Sequence, residues 1–122
     1  MLKPEHIRYL LNIALLVRVR HWQTTSYAEH VALGGLYDDL DEFIDRWVEA
    51  QQGSGETRLT LGEEGADVHL MDMTAEDIVG GLTDLDGFLR KMLNQGVKPE
   101  FQNLIDELAA KLDKVQYLLT LK

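Results

Sequence analysis

Apolar side chains recur at intervals of three and four residues in four separate runs of this chain. That period restricts it to an all-α fold more tightly than any other feature. The last run is the cleanest: Phe101, Leu104, Leu108, Leu112, Val115 and Leu119 fall on one helical face. Ile78, Leu82, Leu85, Leu89 and Met92 form a second stripe, and Ile7, Leu10, Leu11, Ala14 and Val17 a third, which His21 continues. The fourth carries Tyr27, His30, Leu33, Tyr37, Leu40, Ile44 and Trp47 or Val48. Pro4 and Pro99 stand where a first helical turn accepts proline. Ser26-Tyr27-Ala28-Glu29 has the spacing of a capping box, and Thr74-Ala75-Glu76-Asp77 is a weaker version. With stops at Gln52-Gly53 and Gln95-Gly96, the predicted helices span about 4–22, 27–52, 75–94 and 99–120 of a single domain, 1–122.

The first and second helices, and the third and fourth, are joined by short connections and so form antiparallel hairpins. Between the pairs, residues 53–73 are too long for a simple turn. Within them Thr57-Arg58-Leu59-Thr60-Leu61 and Ala66-Asp67-Val68-His69-Leu70 alternate around Gly62-Glu63-Glu64-Gly65, the pattern of a small β-hairpin. The expected architecture is an all-α four-helix up-down bundle, ferritin-like in plan, with a long crossover between helices two and three that carries this hairpin.

The formal net charge is -9 and there is no basic tail, which disfavours direct DNA binding through the bulk surface. With zero cysteines, disulfides, thiolate ligands and thiol nucleophiles are excluded. Met1-Leu2-Lys3-Pro4-Glu5 is too polar for a signal peptide. The most apolar stretch, Ile7 to Val19, carries Arg8, Asn12 and Arg18, and no membrane span is expected. A cytoplasmic location follows as the expectation. No nucleotide-binding glycine loop, nucleophile constellation or zinc-protease motif is present, and His6 and His69 have no motif around them.

Candidate chemistry lies in His21-Trp22-Gln23-Thr24-Thr25, His30 and the acidic second helix. Two imidazoles near a carboxylate stripe suit a transition metal, and they also suit a hydrogen-bonded polar seam. Asp41 lies close to His30 in helical angle, a candidate ligand or hydrogen-bond partner, while Asp38, Asp39 and Glu42 read as a solvated face. Asp45 and Glu49 share a face one turn apart, but they stand ~22 and ~28 Å further along the axis than His30. Either that pair works elsewhere, or an antiparallel second copy brings it against His21 and His30. Glu-x-x-His, required by the single-chain di-iron pattern, does not occur. Trp22 and Trp47 are expected to pack in the bundle or at a subunit contact, and Met71 and Met73 to plug its end. Gly34-Gly35 in mid-helix points to close helix approach across a subunit contact, or to a kink.

The run from His21-Trp22-Gln23 through His30 to Tyr37, Asp45 and Glu49 resembles the Dps-type mini-ferritins, the DNA-binding proteins of starved cells. In that family a His-Trp-Asn ends the first helix, a second histidine follows, and an Asp-x-x-x-Glu pair lies further along. The resemblance implies that His21 and His30 from one subunit, with Asp45 and Glu49 from another, bind iron or zinc. If the site is redox active, it implies ferroxidase activity. The family's aspartate four residues after the second histidine is Gly34 here, its interhistidine segment is about three residues longer, and its basic arm is missing. Two imidazoles and two carboxylates remain, a set for one divalent ion.

The wording His-Trp-Gln-Thr-x-Ser-Tyr-Ala-x-His is also similar to small uncharacterised proteins of tailed bacteriophages. That resemblance implies a phage accessory protein in the host cytoplasm, one that keeps the bundle and binds a protein partner through its acidic surface. At a charge of -9 the partner is expected to be basic. A homodimer or higher oligomer is expected on the metal reading. This accessory role is the leading expectation and the metal protein the alternative.

Overall fold

The four apolar stripes become four helices: α1 (Pro4–Gln23), α2 (Tyr27–Gly53), α3 (Ala75–Asn94) and α4 (Pro99–Leu118). The structure is a computed structural model and describes residues 2–55, 57–61 and 68–121. Pro4 and Pro99 occupy the first turns of α1 and α4, where their missing N–H is no loss. Two of the caps exchange rank relative to the sequence reading. Thr74 and Asp77 make a full reciprocal box at α3, Asp77 N–H to Thr74 Oγ1 at 3.1 Å and Thr74 N–H to Asp77 Oδ2 at 3.0 Å. At α2 only half a box forms. Ser26 Oγ accepts the Glu29 N–H at 3.2 Å, but Glu29 turns its carboxylate to Arg20, and the Ser26 N–H bonds to Thr24 Oγ1 instead.

Going round the bundle, α1 packs on α2, α2 on α4, α4 on α3 and α3 on α1. Among the described residues α2 and α3 do not approach each other, nor do α1 and α4. Side-chain bonds give the directions. Leu2 at the start of α1 bonds to Gln51 at the end of α2, so those helices are antiparallel. Met73, just before α3, bonds to Arg20 near the end of α1, so α3 runs against α1 and alongside α2. The chain therefore travels up, down, down and up, and the crossover must return the full length of the bundle. One core cluster results, with Trp47, Phe101, Leu10, Leu33, Leu40, Leu85 and Leu112 almost fully buried.

The β-hairpin expected on the crossover is not supported by its described residues. Among the described residues there is no strand, while Gly62-Glu63-Glu64-Gly65, Ala66 and Asp67 lie outside them. Polar side chains from the helices hold the backbone that a hairpin would pair. Asn12 accepts the His69 N–H at 2.8 Å and donates to the His69 carbonyl at 3.3 Å. Arg8 donates to the Leu61 carbonyl, and Gln52 Oε1 accepts the Leu59 N–H at 2.8 Å. The alternation of Thr57–Leu61 reflects a segment strapped to the side of the bundle, with Leu59 half-buried against its core. No described helix is long and apolar enough to cross a membrane.

Candidate functional site

The turn at 24–26 sets the end of α1 beside the start of α2, and there His21 and His30 form a reciprocal clasp. His21 Nδ1 donates to the His30 carbonyl at 2.6 Å, and His30 Nδ1 donates to the His21 carbonyl at 2.8 Å. A carbonyl oxygen carries no proton, so each ring must hold its own on Nδ1, which leaves Nε2 as the free basic nitrogen when neutral. The rings stack 3.8 Å apart at 15°.

Gly34 makes this possible. A Cβ there would stand 2.9 Å from His21 Cε1 and 3.2 Å from its Nδ1, inside normal contact. The glycine therefore seats a histidine of the same chain, so a close approach at this residue is made within the chain. Gly35 meets nothing within 4 Å.

From the clasp a ladder of side chains continues along α1 and α2. Tyr37 presents its ring to His21 edge-on at 5.3 Å between centroids. Arg18 lies over the Tyr37 ring at 4.5 Å and pairs with Asp41 at 3.0 Å. Asp41 is thus engaged by Arg18, and the His30 partner is a backbone carbonyl. Behind the clasp Arg20 joins three segments, pairing with Glu29 at 2.5 Å and donating to the Met73 carbonyl at 3.0 Å. Glu29 is 8% exposed, the one buried charged residue among the described residues, so its carboxylate is shielded from solvent. Gln23 adds a bond from α1 to Asp72 at 2.8 Å.

Asp45 and Glu49 stay on the exposed side of α2, separated from His30 by the helix rise given above. Among the described residues no three His, Asp or Glu side chains gather as a metal-binding group. Within one chain, then, the structure brings His21 and His30 together and leaves Asp45 and Glu49 apart from them. Trp47 is fully buried, whereas Trp22, next to His21 in the chain, is 67% exposed. Met73 packs against the core as expected of a plug, but Met71 is exposed.

Arg18, Arg20 and Tyr37 are the parts that sequence reasoning missed. The signal was present in Arg18-Val19-Arg20, a pair of basic residues just before His21, since Arg18 precedes His21 by three residues and shares its face. Elsewhere, Tyr9 packs on Phe88 at 5.1 Å. Burial, with a smaller contribution from the negative charge of Asp84, pushes its hydroxyl above the usual tyrosine range.

The fold and clasp define a class: an acidic four-helix chain whose first hairpin is locked by two mutually bonded histidines. The chain belongs to DUF5856, a family of unknown function, which it matches over residues 21–119. The match begins at His21 and takes in the clasp, Gly34 and all of α2 to α4. No curated protein and no solved structure matches the chain.

Proposed function

We propose that this chain is an accessory binding bundle, of the kind the likeness to tailed-phage proteins implies, and that it docks a basic protein partner through its acidic surface. The row Asp38, Asp45 and Glu49 supports this reading. At 100° per residue the three fall within about 40° of one another on α2 and span about 16 Å along it. All are exposed, and none enters an ion pair among the described residues, whereas Asp39, Asp41 and Glu42 do. Uncompensated carboxylates on one rigid helix steer and orient a cationic surface. The test is binding of a Lys/Arg-rich peptide to the wild type and to Asp38→Asn/Asp45→Asn/Glu49→Gln. At least a tenfold loss, with wild-type affinity falling as salt rises, is expected. Equal affinity for the two proteins overturns the reading.

Two observations favour the second reading, a Dps-like iron or zinc protein with a site shared between subunits. Anchoring Nδ1 on a backbone carbonyl is how ligating histidines are commonly oriented, and it leaves Nε2 free to bind a metal. The up-down-down-up course with one long crossover also supports a ferritin-like plan. On this reading His21 and His30 meet Asp45 and Glu49 of an antiparallel copy, and ferrous iron is the substrate if the site oxidises it. Titration with zinc and ferrous ions, with sedimentation, compares wild type with His21→Ala/His30→Ala. Stoichiometric metal on a wild-type dimer and none on the variant supports it, and a metal-free monomer rules it out.

A further inference from the structure

At the end of the bundle away from the histidines, a cleft of about 580 Å³ opens between the start of α1 and the end of α3. That volume falls within the range of small-molecule sites. Its lining has two parts. Phe88, Met92 and Val97 supply apolar surface, while Lys3, Lys91 and His6 supply cations and a donor. No carboxylate lines it, although the chain carries a net charge of -9. Among the described residues neither lysine has an ion-pair partner. Glu5, two residues from Lys3, lines a separate cleft with Arg8 and Tyr9.

His6 is held for use as a donor. Its Nδ1 accepts the Lys3 backbone N–H at 3.0 Å, so in the neutral ring the proton sits on Nε2. The imidazole packs edge-on against Phe88 at 5.7 Å, which limits its rotation. Lys3 on α1 and Lys91 on α3 line opposite elements of the cleft without a carboxylate between them, so its polar part favours an anion.

We propose that this cleft binds a small amphipathic carboxylate, its apolar body against Phe88, Met92 and Val97 and its acidic end between Lys3 and Lys91. The apolar half of the lining calls for a ligand with a hydrocarbon body. The polar half suits a single compact anionic head, because it offers separate ammonium groups and neither an arginine fork nor a glycine-rich loop of amide donors. The cleft lies at the opposite end of the bundle from the clasp and shares no residue with the acidic row of α2, so it stands apart from either functional reading.

The test is titration of the intact chain with decanoate, followed by backbone amide NMR and calorimetry. Decanol supplies the tail without charge, acetate the head without tail, and inorganic phosphate the charge alone. Saturable one-to-one decanoate binding is expected, with shifts centred on Lys3, His6, Phe88, Lys91 and Val97, and each comparator at least tenfold weaker. Lys3→Glu/Lys91→Glu, which changes two exposed side chains and is checked for fold by circular dichroism, should weaken decanoate at least tenfold. Absence of saturable binding, decanol or phosphate matching decanoate, or undiminished binding in the charge-reversed variant would each overturn the proposal.

Discussion

Substituting the two adjacent glycines of α2 separates the clasp from helix propensity. Alanine in place of a mid-helix glycine stabilises by about 1 kcal/mol when nothing obstructs the new methyl group. Gly35 has open space around it, so Gly35→Ala should gain close to that amount. At Gly34 the same methyl would lie 2.9 Å from His21 Cε1. The ring cannot yield without stretching a 2.6 Å bond to the His30 carbonyl and disturbing a 3.8 Å stack. Losing a hydrogen bond costs about 0.5–1.5 kcal/mol and losing a ring contact a similar amount, so Gly34→Ala should be neutral to destabilising by about 2 kcal/mol after the propensity gain. The two variants should therefore differ by about 1–3 kcal/mol in urea denaturation, or very roughly 3–15 °C in Tm. A double-mutant cycle completes the test: in a His21→Ala background, Gly34→Ala should stabilise by about 1 kcal/mol. If Gly34→Ala and Gly35→Ala raise stability equally in the wild-type background, the histidine does not sit on the glycine.

Two other outcomes follow from the geometry. Glu29→Ala leaves the Arg20 guanidinium shielded and without its carboxylate, and should cost toward the lower end of the roughly 3–5 kcal/mol seen for broken buried pairs, measurable by the same denaturation. Arg20→Met/Glu29→Leu should cost less than either single loss, and a double variant as unstable as Glu29→Ala would contradict this. The raised Tyr9 hydroxyl carries a definite sign. The unfolded chain releases this proton first, so the contribution of Tyr9 is present below about pH 10 and is lost as pH rises through the higher folded value. Stability measured from pH 9 upward should fall less in Tyr9→Phe than in wild type, and parallel curves would count against the buried, Asp84-facing environment.

The helices were legible in the sequence because each signal for them is local. Apolar residues at three and four, proline at a first turn and glycine after a last one act within a few residues of one another. The crossover misled for a complementary reason. Alternation along Thr57–Leu61 records a burial pattern, whereas strand formation depends on where backbone groups find partners, and here side chains of the helices, Arg8 and Asn12 from α1 and Gln52 from α2, take them. The Ser26–Glu29 box failed in the same way. Spacing permitted it, but the charge on Arg20, nine residues before Glu29, outcompeted one neutral amide. Histidine spacing indicated a pair and gave no sign that each ring would bond to the other residue's carbonyl, since backbone acceptors leave no trace in residue identity.

This clasp changes what Gly34 means against the mini-ferritin pattern, which has an aspartate at the corresponding position. A side chain there and the observed His21 ring compete for the same space, because the first atom of any side chain already lies 2.9 Å from the imidazole. The glycine is therefore coupled to the ring position, and an aspartate at this site requires the histidine to leave the carbonyl of His30. Gly34→Asp makes that coupling measurable. Nitrogen-15 NMR of the imidazoles should show His21 losing its fixed Nδ1–H tautomer while His30, whose acceptor is the α1 backbone, changes less. If the variant keeps the wild-type His21 tautomer, the ring and residue 34 are not in competition, and the clasp is not what calls for glycine at this position.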